Sequence, residues 1–172
     1  MAWKLFVALL TGVVLLLGTQ RADAQTILDK AQRDEVVRIP EGDPDMAAAM
    51  RKARASLPEF FALSRTPRAS TSAFSVKVGI RTDDQQGHEF FWIRPFENKG
   101  NHYSGQLRNT PRGIKRLKHG DTVTFKETEI VDWTYQEDGK TKGNFTACAL
   151  LKREPKESAA AFMRQYGLSC DP

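Results

Sequence analysis

Three acidic residues occupy positions where a carboxylate could act as an acid or base: Glu89 beside His88, Asp121 after Gly120, and Asp132 before Trp133. Such chemistry needs two carboxyl groups, or a carboxyl and a histidine, held close with their proton affinities set apart by their surroundings. His88 and Glu89 cannot serve each other, because neighbours on a strand point to opposite faces. A dyad therefore requires Glu89 to meet Asp121 or Asp132 across a sheet, as in a hydrolase acting on cell-wall material. Each aspartate also has a local structural use. Asp121 can cap the Gly-Asp corner through backbone hydrogen bonds, and Asp132 can fix a bend by accepting from the backbone or from Trp133. The structural use is the stronger reading, since it is satisfied locally.

Nucleophilic chemistry has less support. No Gly-x-Ser-x-Gly turn is present, and the glycines of Arg112-Gly113 and His119-Gly120 are isolated rather than part of a phosphate loop. Cys148 and Cys170 are the only thiols. In an exported protein such a pair is expected to form a disulfide rather than a metal or catalytic site. Closing that loop would contribute on the order of 3 kcal/mol. His88, His102 and His119 lack the close spacing of zinc ligand pairs, so neither a metal nor a cofactor is expected.

Positive charge is the feature that concentrates. Arg108, Arg112, Lys115, Arg116, Lys118 and His119 fall in one stretch flanked by Tyr103 and Ile114. A loop of that kind can hold an anionic surface such as lipid headgroups, cell-wall polymer or an acidic protein patch, and its plain alternative is a solvated face. Trp92 and Trp133 are expected to pack across the sheet. Exposure of both along one groove would instead suggest a sugar or peptide site.

The elements that must position these residues lie in a chain of 172 residues with formal net charge +5. That modest excess bears on solubility and weak attraction to anionic polymers, not on fold. Lys4 precedes an apolar run at residues 5–17, and Ala22-Asp23-Ala24 follows. This is the pattern of a secretory signal cleaved after Ala24. The run is shorter than the roughly 20 residues that span a bilayer, so the mature chain is expected to be periplasmic or secreted, with no transmembrane segment and no nucleic-acid partner. A polar arm at 25–42 then leads into a single domain at 43–172. A mature chain of about 150 residues suits one core.

Asp43-Pro44-Asp45 combines a side-chain cap, a first-turn proline and an acid near the positive helix end. Met46, Ala49, Met50, Ala53 and Leu57 then repeat at helical spacing. Pro58 starts a second short helix carrying Phe60 and Phe61. After a loop at 66–72 the period becomes two: Phe74, Val76, Val78 and Ile80 alternate with polar residues in a half-buried strand. The next strand, 88–96, is apolar on both faces, with Phe90, Trp92 and Phe96 on one and Phe91 and Ile93 on the other. Such a strand is usually central. A third strand holds Tyr103, Gly105 and Leu107, where the glycine suggests a bulge or a close backbone approach. Strand residues resume at 122–136 with a bend, and Asp138-Gly139 makes a hairpin turn. The chain is expected to return as a strand at 144–152, with Phe145, Ala147, Ala149 and Leu151 sharing a face. A last helix starts at Pro155 and ends at Gly167. The fold class is α+β: a curved antiparallel sheet of about five strands, flanked by N-terminal and C-terminal helices, with partial closure into a small barrel as one way to shorten its edges.

Asp45-Met46 with its Ala-rich helix, Phe60, Phe74 with Val76-Lys77, Glu89 with Trp92, Gly105 with Leu107 and Asn109, Gly120-Asp121 and Ile130-Val131-Asp132-Trp133 occur in an order that resembles the YegJ-like domain of bacterial proteins. The resemblance covers about residues 43–152. It implies a small α+β domain without an assigned activity; the C-terminal helix and Cys170 lie beyond it. The sequence thus points to an exported, non-enzymatic module that binds a protein or an anionic envelope component through Arg108, Arg112, Lys115, Arg116 and Lys118. A hydrolase using Glu89 with Asp121 or Asp132, and a structural module of an envelope assembly, are the alternatives.

Overall fold

The computed structural model describes residues 42–170. The expected signal segment at 1–24 and nearly all of the polar arm at 25–42 lie outside the described residues.

Helix α1 spans Pro44–Ala55 and begins as its sequence dictates: the Asp43 carboxylate accepts from the Met46 amide at 2.9 Å, with Pro44 in the first turn. Met46, Ala49 and Ala53 form its buried stripe. Helix α2, Leu57–Arg65, follows at once with Pro58 in its first turn and buries Leu57, Phe60 and Phe61. Proline at these positions gives up an amide that would lack an intrahelical partner anyway.

Six strands follow among the described residues: β1 Thr71–Arg81, β2 His88–Asn98, β3 Tyr103–Leu107, β4 Thr122–Phe125, β5 Ile130–Glu137 and β6 Lys140–Gly143. A single 3-10 turn, Glu127–Glu129, makes the expected bend between β4 and β5. The sheet order is β4-β3-β2-β1-β5-β6, every pair antiparallel. The sheet is open, so the partial barrel closure does not occur, and it has six strands where the sequence suggested about five. Its edges are instead kept short. The edge strands β4 and β6 have four residues each, and Leu168 meets β6 in a parallel bridge with Thr141. Short or covered edges limit pairing with another chain.

Helices α1 and α2 close one face of the sheet. Val76, Val78, Phe91, Ile93, Leu107 and Ile130 pack there with Ala53, Phe60 and Trp133. The Phe60 and Trp133 rings stack at 5.1 Å, and Trp133 Nε1 donates to the Ala53 carbonyl at 3.0 Å. Each such side chain contributes about 1.5–3 kcal/mol by burial. Phe96 belongs to this core, stacking near Phe60 at 6.1 Å, and so does not share the face of Trp92 as strict alternation required. A bulge between Ile93 and Phe96, at Pro95, shifts the parity of β2. Proline has no amide for the ladder and is confined to such places. Gly105 sits opposite Phe96, and a Cβ there would come within 2.7 Å of the Pro95 carbonyl oxygen. The close approach expected of this glycine is therefore real.

Residues 144–152 are not a strand. Phe145–Leu151 form helix α3, entered through Asn144 in the left-handed conformation. The alternation of Phe145, Ala147, Ala149 and Leu151 arises because this helix packs on two sides. Ala149 meets Met46 and Ala49 of α1, whereas Ala147 and Leu151 meet Phe162 and Leu168. Alanine and leucine are also strong helix formers. Helix α4, Lys156–Tyr166, ends on Gly167 with φ 59°. Cys148 and Cys170 are joined with their Cα atoms 5.3 Å apart, so the disulfide ties the C-terminal tail to α3 rather than to a strand.

Candidate functional site

The basic stretch is the connection between β3 and β4, and its backbone is fixed along its whole length. The Arg108 amide donates to the Trp92 carbonyl at 2.8 Å, and the Trp92 amide donates to Asn109 Oδ1 at 2.9 Å. Glu89 then takes the next turn, accepting from the amides of Arg112 and Gly113, each at 2.9 Å. Asp83, in the turn between β1 and β2, accepts from the Lys115 amide at 2.8 Å. The Asp121 carboxylate accepts from the Lys118 amide at 2.8 Å and caps its own corner. Ile114, only 1% exposed, plugs the loop into the core. Carboxylates that accept backbone N–H groups form charge-assisted bonds, stronger than neutral ones.

The side chains point the other way. Arg108, Arg112, Lys115, Arg116, Lys118 and His119 are all exposed. Arg116 is bonded to Asp83 at 2.8 Å. Among the described residues, Arg108, Lys115 and Lys118 have no carboxylate partner for their side chains. Glu89 and Asp121 direct their carboxylates at the loop's amides, and Asp83 divides between the Lys115 amide and the Arg116 side chain, so Arg108, Lys115 and Lys118 leave the outer surface cationic.

The second buried carboxylate, Asp132, is fully inaccessible and has a different task. It accepts from the Trp133 amide at 2.8 Å, from the Phe145 amide at 3.2 Å, and from Thr146 through its amide at 2.8 Å and its hydroxyl at 2.6 Å. It therefore caps α3 from β5, satisfying amides at the helix start that have no intrahelical acceptor. Lys77 Nζ donates to the same Thr146 hydroxyl at 2.8 Å and lies 4.7 Å from the centre of the Trp92 ring. Burial raises the Asp132 carboxyl above its usual range, against the pull of Lys77 and of its donors, and burial lowers the Lys77 ammonium.

Glu89 and Asp132 do not come together. Glu89 pairs with Ile80 on the face of Val76 and Val78, whereas Asp132 pairs with Lys77, which alternates with those valines and points to the other face. Asp121 is turned onto its own corner. The dyad considered for Glu89 and Asp132 is thus split by the sheet itself. The two tryptophans are split in the same way: Trp133 is buried under α1, and Trp92 is half-buried beneath Lys77 on the opposite side.

Sequence reasoning overlooked Asp83, which looked like a turn-former, and the pair Lys77 and Thr146. Lys77 sits at a polar position of an alternating strand and so looked solvent-facing. The only available signal was its shared parity with Trp92. Among the described residues, no group of His, Cys, Asp and Glu could hold a metal ion, and no helix is long and apolar enough to cross a membrane.

An open antiparallel sheet with α1 and α2 on one face and an anchored cationic loop defines a small α+β domain. The chain belongs to the bacterial family DUF2314, described as an uncharacterized protein conserved in bacteria, which matches residues 43–170. That region includes α4 and Cys170, so both bonded cysteines fall within the family match, beyond the stretch at 43–152 that carried the resemblance. No curated protein and no solved structure matches the chain.

Proposed function

We propose that the protein is an exported, non-enzymatic module that holds an anionic envelope component through the loop at 108–118. The observation that carries this reading is the division of charge in the loop: its neighbouring acids bind backbone amides, only Asp83 also holding a cation of the loop, Arg116, while Arg108, Lys115 and Lys118 face outward. A backbone ordered before binding loses less entropy when it binds. Export rests on Lys4, the apolar run at 5–17 and Ala22-Asp23-Ala24. The cysteine pair agrees with an oxidising compartment. The YegJ-like order of motifs adds a domain type but no ligand. A cell-wall hydrolase has no support in the carboxylate geometry, because Glu89 and Asp132 lie on opposite faces and bind backbone donors.

The test is retention of the mature protein on envelope fractions and on vesicles containing anionic lipid. Each cation near an anionic surface contributes about 1 kcal/mol. Replacing Arg112, Lys115, Arg116 and Lys118 by Ala should therefore weaken retention about tenfold or more, and added salt should weaken wild-type retention by screening. Retention unchanged by the four substitutions would remove the loop from the function.

A further inference from the structure

The far end of β2, away from the basic loop, holds a feature that the proposed function does not use. A cleft of about 370 Å³ opens between α2 and the bulged ends of β1 and β2. Phe61, Phe74, Phe96 and Tyr103 line it together with Arg65 and Arg94. Its volume lies within the roughly 300–1,000 Å³ of small-ligand sites, which are mostly apolar with a few convergent polar groups.

Three observations set this cleft apart from a packing defect. The sheet is irregular on both sides of it: the β1–β5 register shifts between Ser72 and Ser75, and the β2–β3 register shifts between Ile93 and Phe96. Bulges re-aim side chains and are frequent next to binding sites. Between the first pair, Ala73 lines the cleft with φ 56°, a left-handed conformation that a non-glycine residue adopts only under strain. The charge is one-sided as well. None of the lining residues is acidic, and among the described residues neither Arg65 nor Arg94 is paired with a carboxylate. Arg68, Arg116 and Arg153, by contrast, are each paired with at least one. The Tyr103 hydroxyl donates to Glu127 at 3.1 Å.

We propose that this cleft binds a small carboxylate with an aromatic or short aliphatic body. The body lies among Phe61, Phe74 and Phe96, and the carboxylate is taken by Arg65 and Arg94. Guanidinium groups bind carboxylates by paired, charge-assisted bonds, and a ligand with both parts fits a site with both parts.

The experiment is calorimetric and NMR titration of the full mature chain with 3-phenylpropionate, its neutral amide, and inorganic phosphate. Phenylpropionate should bind with shifts at Phe74, Phe96 and Tyr103, and the amide should bind at least tenfold more weakly. Replacing both arginines, R65Q with R94Q, should weaken phenylpropionate at least tenfold with the circular dichroism spectrum unchanged, since both side chains are exposed. The four-alanine loop variant should bind phenylpropionate as the wild type does, so loss of envelope retention and loss of cleft binding are separable. Equal binding of the amide, undiminished binding in the double variant, phosphate binding as tight as the acid, or binding only by a peptide with an apolar C-terminal residue would each overturn the proposal.

Discussion

Glu89 and Asp132 do the same elementary job on opposite faces of one sheet, and their differences show how a buried acid is put to structural use. Each accepts amides from a segment that follows a strand. Glu89 holds the turn at Arg112 and Gly113, in a loop whose other end is exposed. Asp132 holds the first turn of α3, shares Thr146 with Lys77, and is wholly sealed from water. The Glu89 site stiffens a surface loop. The Asp132 site is part of the interior, where a carboxylate is kept only because four donors and a cation surround it.

The largest test of this contrast is Asp132→Ala. It leaves the half-buried Lys77 without its neighbouring negative charge and the amides of Trp133, Phe145 and Thr146 without their carboxylate acceptor, and each buried donor left unsatisfied costs about 1–3 kcal/mol. Urea denaturation should show that loss, and hydrogen exchange should rise across α3. A cost no greater than that of the next variant would erase the distinction. Glu89→Gln keeps the shape but replaces a charged acceptor with an amide that can satisfy only part of the turn, at about 1–3 kcal/mol. Exchange should quicken at Arg112 and Gly113 while α3 stays protected, and envelope retention should fall as the loop loosens.

The smallest effect is a dependence on pH. Burial raises the Asp132 carboxyl above 3.8, so the folded protein keeps a proton that the unfolded chain has released. That group's favourable contribution is complete below pH 3.8 and declines as pH rises through its folded value. The stability of the wild type relative to Asp132→Asn should therefore shrink as the pH is raised from about 3 to 7, measured by urea titration at each pH. A difference that widened with pH would contradict the assignment of burial as the dominant cause.

Much of the framework was legible in the chain because its signals are local. The Asp43 cap with Pro44, the helical stripe of Met46, Ala49 and Ala53, the alternation in β1 and the Asp138-Gly139 hairpin each depend on residues a few positions apart. Of the candidate site, the exposed cations and the corner role of Asp121 were legible for the same reason. What misled was parity. Period two predicted a strand at 144–152 where a helix packs on two sides, and it placed Phe96 with Trp92 because the bulge at Pro95 is a property of the paired ladder.

By itself, then, the sequence determined the starts of α1, α2 and α4, the turns, the cationic composition of the loop and the pairing of its only two cysteines. Those follow from chemistry between near neighbours and from a thiol count that admits one partner. The tertiary structure alone decided that Glu89 grips residues 23 and 24 positions away, and that Asp132 caps a helix beginning 13 residues later. It alone decided that the two acids face apart. A carboxylate binds whichever amide the fold brings within reach, and strand order, register and bulges set that reach.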